Sequence, residues 1–202
     1  MKAIDTIEAL EALYVEKPGG AAVEKVTDRL TRAYHAWIMA SRFCVISTVG
    51  PEGTDGSPRG DDGPVVRVLD AGTIALPDWR GNKRLDTLRN IVRDGRVSLM
   101  FFVPGSGNVM RVNGRAIVTA DQDLCASFAQ HDKPPKSVIV VTIAEVYPQC
   151  ARAIMRSGLW TSGDRSDGLP TIGDMLKDVT NGAFDGAAYD AEWSERADKT
   201  MW

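Results

Sequence analysis

Cysteine and histidine are scarce in this sequence, with three of the former and two of the latter among 202 residues. Cys44, Cys125 and Cys150 are odd in number and far apart, which excludes a disulfide framework and any paired CxxC zinc site, so all three are expected to be reduced. His35 and His131 cannot build a multi-histidine metal centre, and neither lies in an HExxH spacing. No metal is expected. Long apolar runs are missing as well. The longest uncharged stretch, residues 97 to 110, has 14 residues and is broken by Pro104, Gly105 and Gly107, too short and too interrupted for a transmembrane helix. Asp5, Glu8 and Glu11 stand where a signal peptide would need a basic head and an apolar run, so a cytoplasmic protein without membrane contact is expected. There is no surplus of positive charge either. The net charge is −3, and with no basic arm or aromatic-basic repeat, nucleic acid is not an expected partner. A GxGxxG after a strand, a GxxxxGK[ST] loop and a GxSxG elbow are all absent, which removes the Rossmann, P-loop and hydrolase readings.

What is present describes a globular chain, 44% hydrophobic and 25% charged, long enough to bury one core of its own. Residues 4 to 16 read as a short amphipathic helix, stopped by Pro18-Gly19-Gly20. From 21 to 40, Val23, Val26, Leu30, Ala33, Tyr34, Trp37 and Ile38 recur at three- and four-residue steps, which predicts one helix with a single buried stripe. Short runs rich in β-branched and aromatic residues then predict strands at 43–48, 56–60, 65–69, 73–76, 96–103, 109–119 and 137–146, separated by Gly, Pro and Asp clusters. Helices are expected at about 82–93, 121–130, 149–158 and 171–179. Strands that follow one another through short turns favour an antiparallel, barrel-like sheet, because a parallel one needs a helix after nearly every strand. The expected organisation is one domain overall: helices over 1–40 packed on the barrel, a core over 41–160 and a peripheral tail over 161–202.

The segment TIALPDWRGNKRLDTLRNIVRDGR, residues 73 to 96, carries the chemistry. A strand ends at Pro77, a Gly81-Asn82 turn follows, and Leu85, Leu88 and Val92 repeat at helical spacing, which places Asn82 at an N-cap. Lys83 and Arg84 then fall in the first helical turn, where the helix dipole disfavours cations. A phosphate held at the free N–H groups by Lys83, Arg84 and Arg80 would reverse that conflict. The alternative is a solvated basic turn paired with Asp78 and Asp86. Arg59, flanked by Pro and Gly at a strand end, can reach across a groove or stand as an ordinary surface arginine. In MRVNGR, alternation puts Arg111 and Asn113 on one face and Met110 and Val112 on the other. Trp160 and Arg156 read as packing and surface residues.

The order FCVIST, GSPRG, LPDWRGNKRLDTLRN and SLMFFVPGSGNVMRVNGRA, followed by RSGLW at 156 to 160, resembles the pyridoxamine 5′-phosphate oxidase-like superfamily, in its uncharacterised flavoprotein branch. The likeness runs from about residue 40 to 160. It implies a mainly β fold with flanking helices (α+β), an antiparallel split β-barrel of the FMN-binding type, and a homodimer with two FMN molecules at its interface. By position, Lys83 and Arg84 match the basic pair on the FMN phosphate, and Asn82 the small polar residue before them. Arg59 matches the arginine on the strand lining the flavin, and Pro77 and Asp78 the backbone and side chain presented to the cofactor. Arg111 falls on the strand facing the ring, with Val109 where pyridoxamine phosphate oxidases have a glutamine. The implied activity is FMN-dependent oxidoreduction of an unknown small molecule, with Arg59 or Arg111 as fixed positive charge beside the ring and no covalent catalyst. The alternatives are a flavin- or other-ligand-binding module without turnover, such as a cofactor carrier or sensor, and an enzyme that uses a deazaflavin in the same barrel. Oxidation of pyridoxamine 5′-phosphate itself is not expected: DQDLCASFAQHDK lacks the arginine and tyrosine that hold the substrate phosphate in that enzyme, and WSERADKTMW lacks its Arg-x-His segment.

Overall fold

The computed structural model describes residues 1–201. Three short helices open the chain: α1 (Ile7–Glu11), α2 (Gly20–Glu24) and α3 (Arg32–Met39). Seven strands follow, β1 (Phe43–Gly50), β2 (Gly53–Gly60), β3 (Arg67–Asp70), β4 (Thr73–Pro77), β5 (Arg96–Phe102), β6 (Val109–Thr119) and β7 (Val138–Gln149). Between and after them lie α4 (Asp86–Arg93), α5 (Gln122–Ser127), α6 (Arg152–Ser157), α7 (Ile172–Val179), α8 (Gly186–Ala191) and α9 (Trp193–Thr200). No helix among the described residues is long and apolar enough to cross a membrane.

All strand pairs are antiparallel, in the order β2-β1-β5-β6-β7-β4-β3. Alternation supplies one apolar face: Cys44, Ile46, Leu99, Phe101, Val112, Ile74, Ile139, Val141 and Val146 are fully buried in a single cluster. That burial is the dominant stabilising term. β2 and β4 stand far apart in the strand order, yet Arg59 on β2 reaches Asp78, just past β4, at 2.7 Å. The sheet therefore curls until its two ends face each other without pairing, which is the expected split barrel. Because β2 stays an edge, it tolerates Pro58, whose missing N–H would break an inner strand. On the outside, Cys125 and Leu124 of α5 and Phe128 just after it cover Ala75 and Val138.

The first forty residues depart from the expected pattern. The run 21–40 is not one helix, because Thr27 forms an antiparallel bridge to Val146 on β7 that needs extended backbone in mid-segment. The stripe is split accordingly: Ile38 and Leu30 are buried, whereas Val23 is 58% exposed. α1 is shorter than expected and buries no residue. In the tail, α7 is closed by a capping box at Thr171 and Asp174, and the Asp190 carboxylate of α8 accepts from Gly173 N and Thr171 Oγ1.

The buried cysteines give a simple check of this core. Burial pushes the Cys44 thiol up to about 12, opposed in part by the nearby Arg59 guanidinium. Cys125 is also buried, while Cys150 is exposed. A thiol needs both its anion and access to react, so an aromatic disulfide reagent should titrate one thiol per native chain, Cys150, and all three after denaturation. Rapid reaction of a second native thiol would contradict the packing around β1 or α5.

Candidate flavin site at the split of the barrel

The gap between the facing ends of the sheet is a cavity of about 1300 Å³. One wall is β2 from Asp55 to Gly60 with Asp61 just past it, the opposite wall is the end of β4 with Asp78 and Trp79, and residues 80–88 and 133–136 form the rim. The walls are joined across the split by two contacts. Arg59 Nη1 lies 2.7 Å from Asp78 Oδ1 with both side chains 19% exposed, and Trp79 Nε1 donates to Asp61 Oδ2 at 2.9 Å. Arg59 Nε is buried and has no hydrogen-bond partner. A buried donor left unmade costs about 1–3 kcal/mol, a cost that a ligand acceptor in the cavity would remove.

The rim carries the cations. Arg80, Lys83, Arg84, Lys133 and Lys136 all line the cavity, and of these Arg84 is held by Asp86, Nε to Oδ2 at 2.7 Å. The backbone of this rim is held in a sparsely populated conformation: Lys83 has φ 64° and Leu85 φ 63°, and on the opposing loop His131 has φ 48° and Asp132 φ 63°. Left-handed non-glycine residues cost on the order of 1 kcal/mol each, and such strain collects at ligand sites.

The expected N-cap at Asn82 is corrected by this geometry. With Lys83 and Leu85 left-handed, the helix cannot begin before Asp86, and Leu85 occupies the N-cap position of α4. Asn82 Oδ1 accepts from the Arg84 backbone N–H at 3.1 Å, a local Asx-type turn that competes with helix. Lys83 and Arg84 therefore precede α4 instead of filling its first turn, and the first-turn charge is Asp86, the sign the dipole favours. The conflict read from the sequence does not exist, although its two cations do face the cavity.

Six of the seven candidate residues, Arg59, Pro77, Asp78, Asn82, Lys83 and Arg84, share this one cavity. Arg111 does not line it. Register sets Val45, Met100, Arg111 and Tyr147 in one cross-strand row on the sheet face turned away from the core, with the Arg111 guanidinium 5.3 Å from the centre of the Tyr147 ring. Its Nε is also buried without a hydrogen-bond partner. Met110 and Val112 are buried in the core, as alternation predicts. Asp55, Asp61 and Trp79 are lining residues that the sequence reading did not single out. Trp79, inside the same LPDWRGN run, was the accessible signal.

No curated protein matches this sequence. Among solved structures, HupZ of Group A Streptococcus superposes with a TM-score of 0.50 at 17% identity, covering 60% of this chain and 94% of that one. An FMN-binding protein of Syntrophomonas wolfei aligns with a TM-score of 0.38 at 16% identity, over 56% of this chain and 79% of that one. A FAD-binding protein of Mesorhizobium loti gives 0.42 at 13%, over 61% and 96%. At 17% identity the likeness to HupZ concerns the fold alone. The family model described as pyridoxamine 5′-phosphate oxidase matches residues 30–150, more than half of the chain and the whole of the split barrel, and the chain belongs to that family.

Proposed function

We propose that this protein is an FMN-dependent oxidoreductase that holds its flavin in the split of the barrel. The observation that carries the reading is the cavity itself: a half-buried Arg59 with an unused Nε on its wall and a rim of cations over a strained loop. The bound flavin supplies hydride or electron-pair transfer. Lys83 and Arg84, with Arg80 beside them, bind the terminal phosphate, and the Asn82 turn holds the Arg84 backbone in place for it. Pro77 and Asp78 present backbone and carboxylate along the cofactor, while Asp78 also fixes the Arg59 guanidinium. Arg59 keeps a permanent positive charge beside the ring.

A second copy of the chain completes this arrangement in our reading. The outward row containing Arg111 includes Met100, 38% exposed, and lies beside Phe43, 41% exposed, and Ser98, Asn113 and Glu145 form a hydrogen-bonded polar strip next to it. Such a face suits an isologous contact, through which Arg111 would reach the flavin of the partner. The substrate is a small molecule other than pyridoxamine 5′-phosphate, since α5 carries neither arginine nor tyrosine.

An absorption spectrum of the purified protein, with the released chromophore identified by mass, tests the reading. We expect flavin bands, release of FMN, and no bleaching when pyridoxine 5′-phosphate is added anaerobically. A deazaflavin or no chromophore after FMN loading would overturn it, and a single-chain mass of 21.9 kDa with flavin bound would overturn the dimer.

A further inference from the structure

A second cavity, of about 340 Å³, opens between the start of β2 and the outer face of α4. Its walls include Glu52, Asp55, Arg84, Arg89 and Arg93. Three residues, Asp55, Arg84 and Asp86, belong to both cavities, so the two meet at Arg84, beside the cations to which we assign the flavin phosphate. Helical spacing puts Asp86, Arg89 and Arg93 on one face of α4. Arg93 is paired with Glu52 and Arg84 with Asp86, both in exposed positions where such pairs contribute little. The Arg89 guanidinium makes no hydrogen bond or ion pair with any described residue.

We propose that this second cavity binds the adenylate moiety of a nucleotide. Its residues match the three parts of that group. Arg84 and Arg89 face the 5′-phosphate with planar, permanently charged donors. Glu52, and Asp55 through the oxygen that does not accept from Thr87 Oγ1, offer carboxylates to ribose hydroxyls, the contact by which acidic side chains select an unmodified ribose in dinucleotide sites. Arg93 gives a guanidinium plane on which a purine stacks. The volume falls at the lower end of the roughly 300–1,000 Å³ usual for small-molecule sites. Two sources present this chemistry: the adenylate half of FAD, continuous with a flavin in the larger cavity, and a separate nucleotide such as the adenylate end of a dinucleotide electron donor. The first source rests on the flavin reading and would make FAD, rather than FMN, the flavin held in the larger cavity; the second does not rest on that reading.

Calorimetric titration of the full-length protein, as purified and after FMN loading, with FMN, FAD and ADP distinguishes them, in the wild type and in Arg89→Ala and Arg89→Lys. If FAD is the source, wild type binds FAD at least tenfold more tightly than FMN, and Arg89→Ala abolishes that difference with FMN affinity unchanged. If the nucleotide is separate, FMN-loaded protein binds ADP, Arg89→Ala weakens it at least tenfold and Arg89→Lys recovers part of the loss. FAD no tighter than FMN together with no ADP binding overturns the proposal, as does nucleotide binding that Arg89→Ala leaves unchanged. Loss of this site with FMN still bound leaves the flavin reading standing, whereas ADP binding that needs Arg89 in a chain that refuses FMN does the reverse.

Discussion

Replacing Lys83 and Arg84 together by alanine is expected to weaken FMN binding about 100-fold while riboflavin affinity stays within about threefold, because in the proposed site these two groups are assigned to the phosphate and to no other part of the flavin. Charge-assisted hydrogen bonds contribute ~1.5–3 kcal/mol each, so two of them span about 10²- to 10⁴-fold at ~1.4 kcal/mol per decade. Both side chains are exposed, and Arg84 must leave Asp86 or share it with the phosphate, which sets the expectation at the low end of that range. Fluorescence titration with the two flavins reads the result directly. Equal loss for FMN and riboflavin would remove the phosphate assignment. The backbone supplies an internal control: Lys83 holds φ 64°, a conformation glycine adopts without strain. Lys83→Gly should therefore lose FMN affinity while gaining up to about 1 kcal/mol of stability. A gain in stability paired with a loss of binding is the signature expected of a strained ligand loop.

The second large effect concerns the fold. Gly114 sits at the register shift between β6 and β7, and a Cβ there would lie 2.1 Å from the Thr142 carbonyl oxygen and 3.3 Å from Ala144 N. These are backbone atoms of the neighbouring strand, so relief requires moving the ladder. Gly114→Ala should cost about 3 kcal/mol, in the range of overpacked cores. For a chain of this size that corresponds to roughly 6–12 °C in the midpoint of thermal unfolding. Differential scanning calorimetry of the two proteins tests it, and a shift below about 2 °C would mean that the strands separate freely at this point. The glycine of the VNGRA run is thus explained by close approach of two strands rather than by a contact with ligand.

Sequence pattern alone placed all seven strands, because side-chain alternation is a local property of the chain and each run is closed by its own Gly, Pro or Asp turn. β6 matches at both ends, and β5, β4 and α7 match within one residue. The grouping of Lys83 and Arg84 near Pro77 and Asp78 was equally legible, since neighbours in sequence stay neighbours in space. What the tertiary structure decided is everything that needs two distant segments at once. The bridge from Thr27 to Val146 breaks a helix that periodicity alone would continue, because a strand 119 positions away offers the hydrogen bonds. The left-handed turn at Lys83 and Leu85 moves the start of α4 to Asp86, and no propensity predicts strain that only surrounding packing can hold. Arg59 meets Asp78 only because the sheet curls, and the same curl leaves Arg111 on the opposite face, away from the residues with which the motif order had grouped it. Curvature of a sheet is set by the sum of its twists and by the filling of one core, so the walls of the cavity belong to the folded barrel and to no single stretch of the chain.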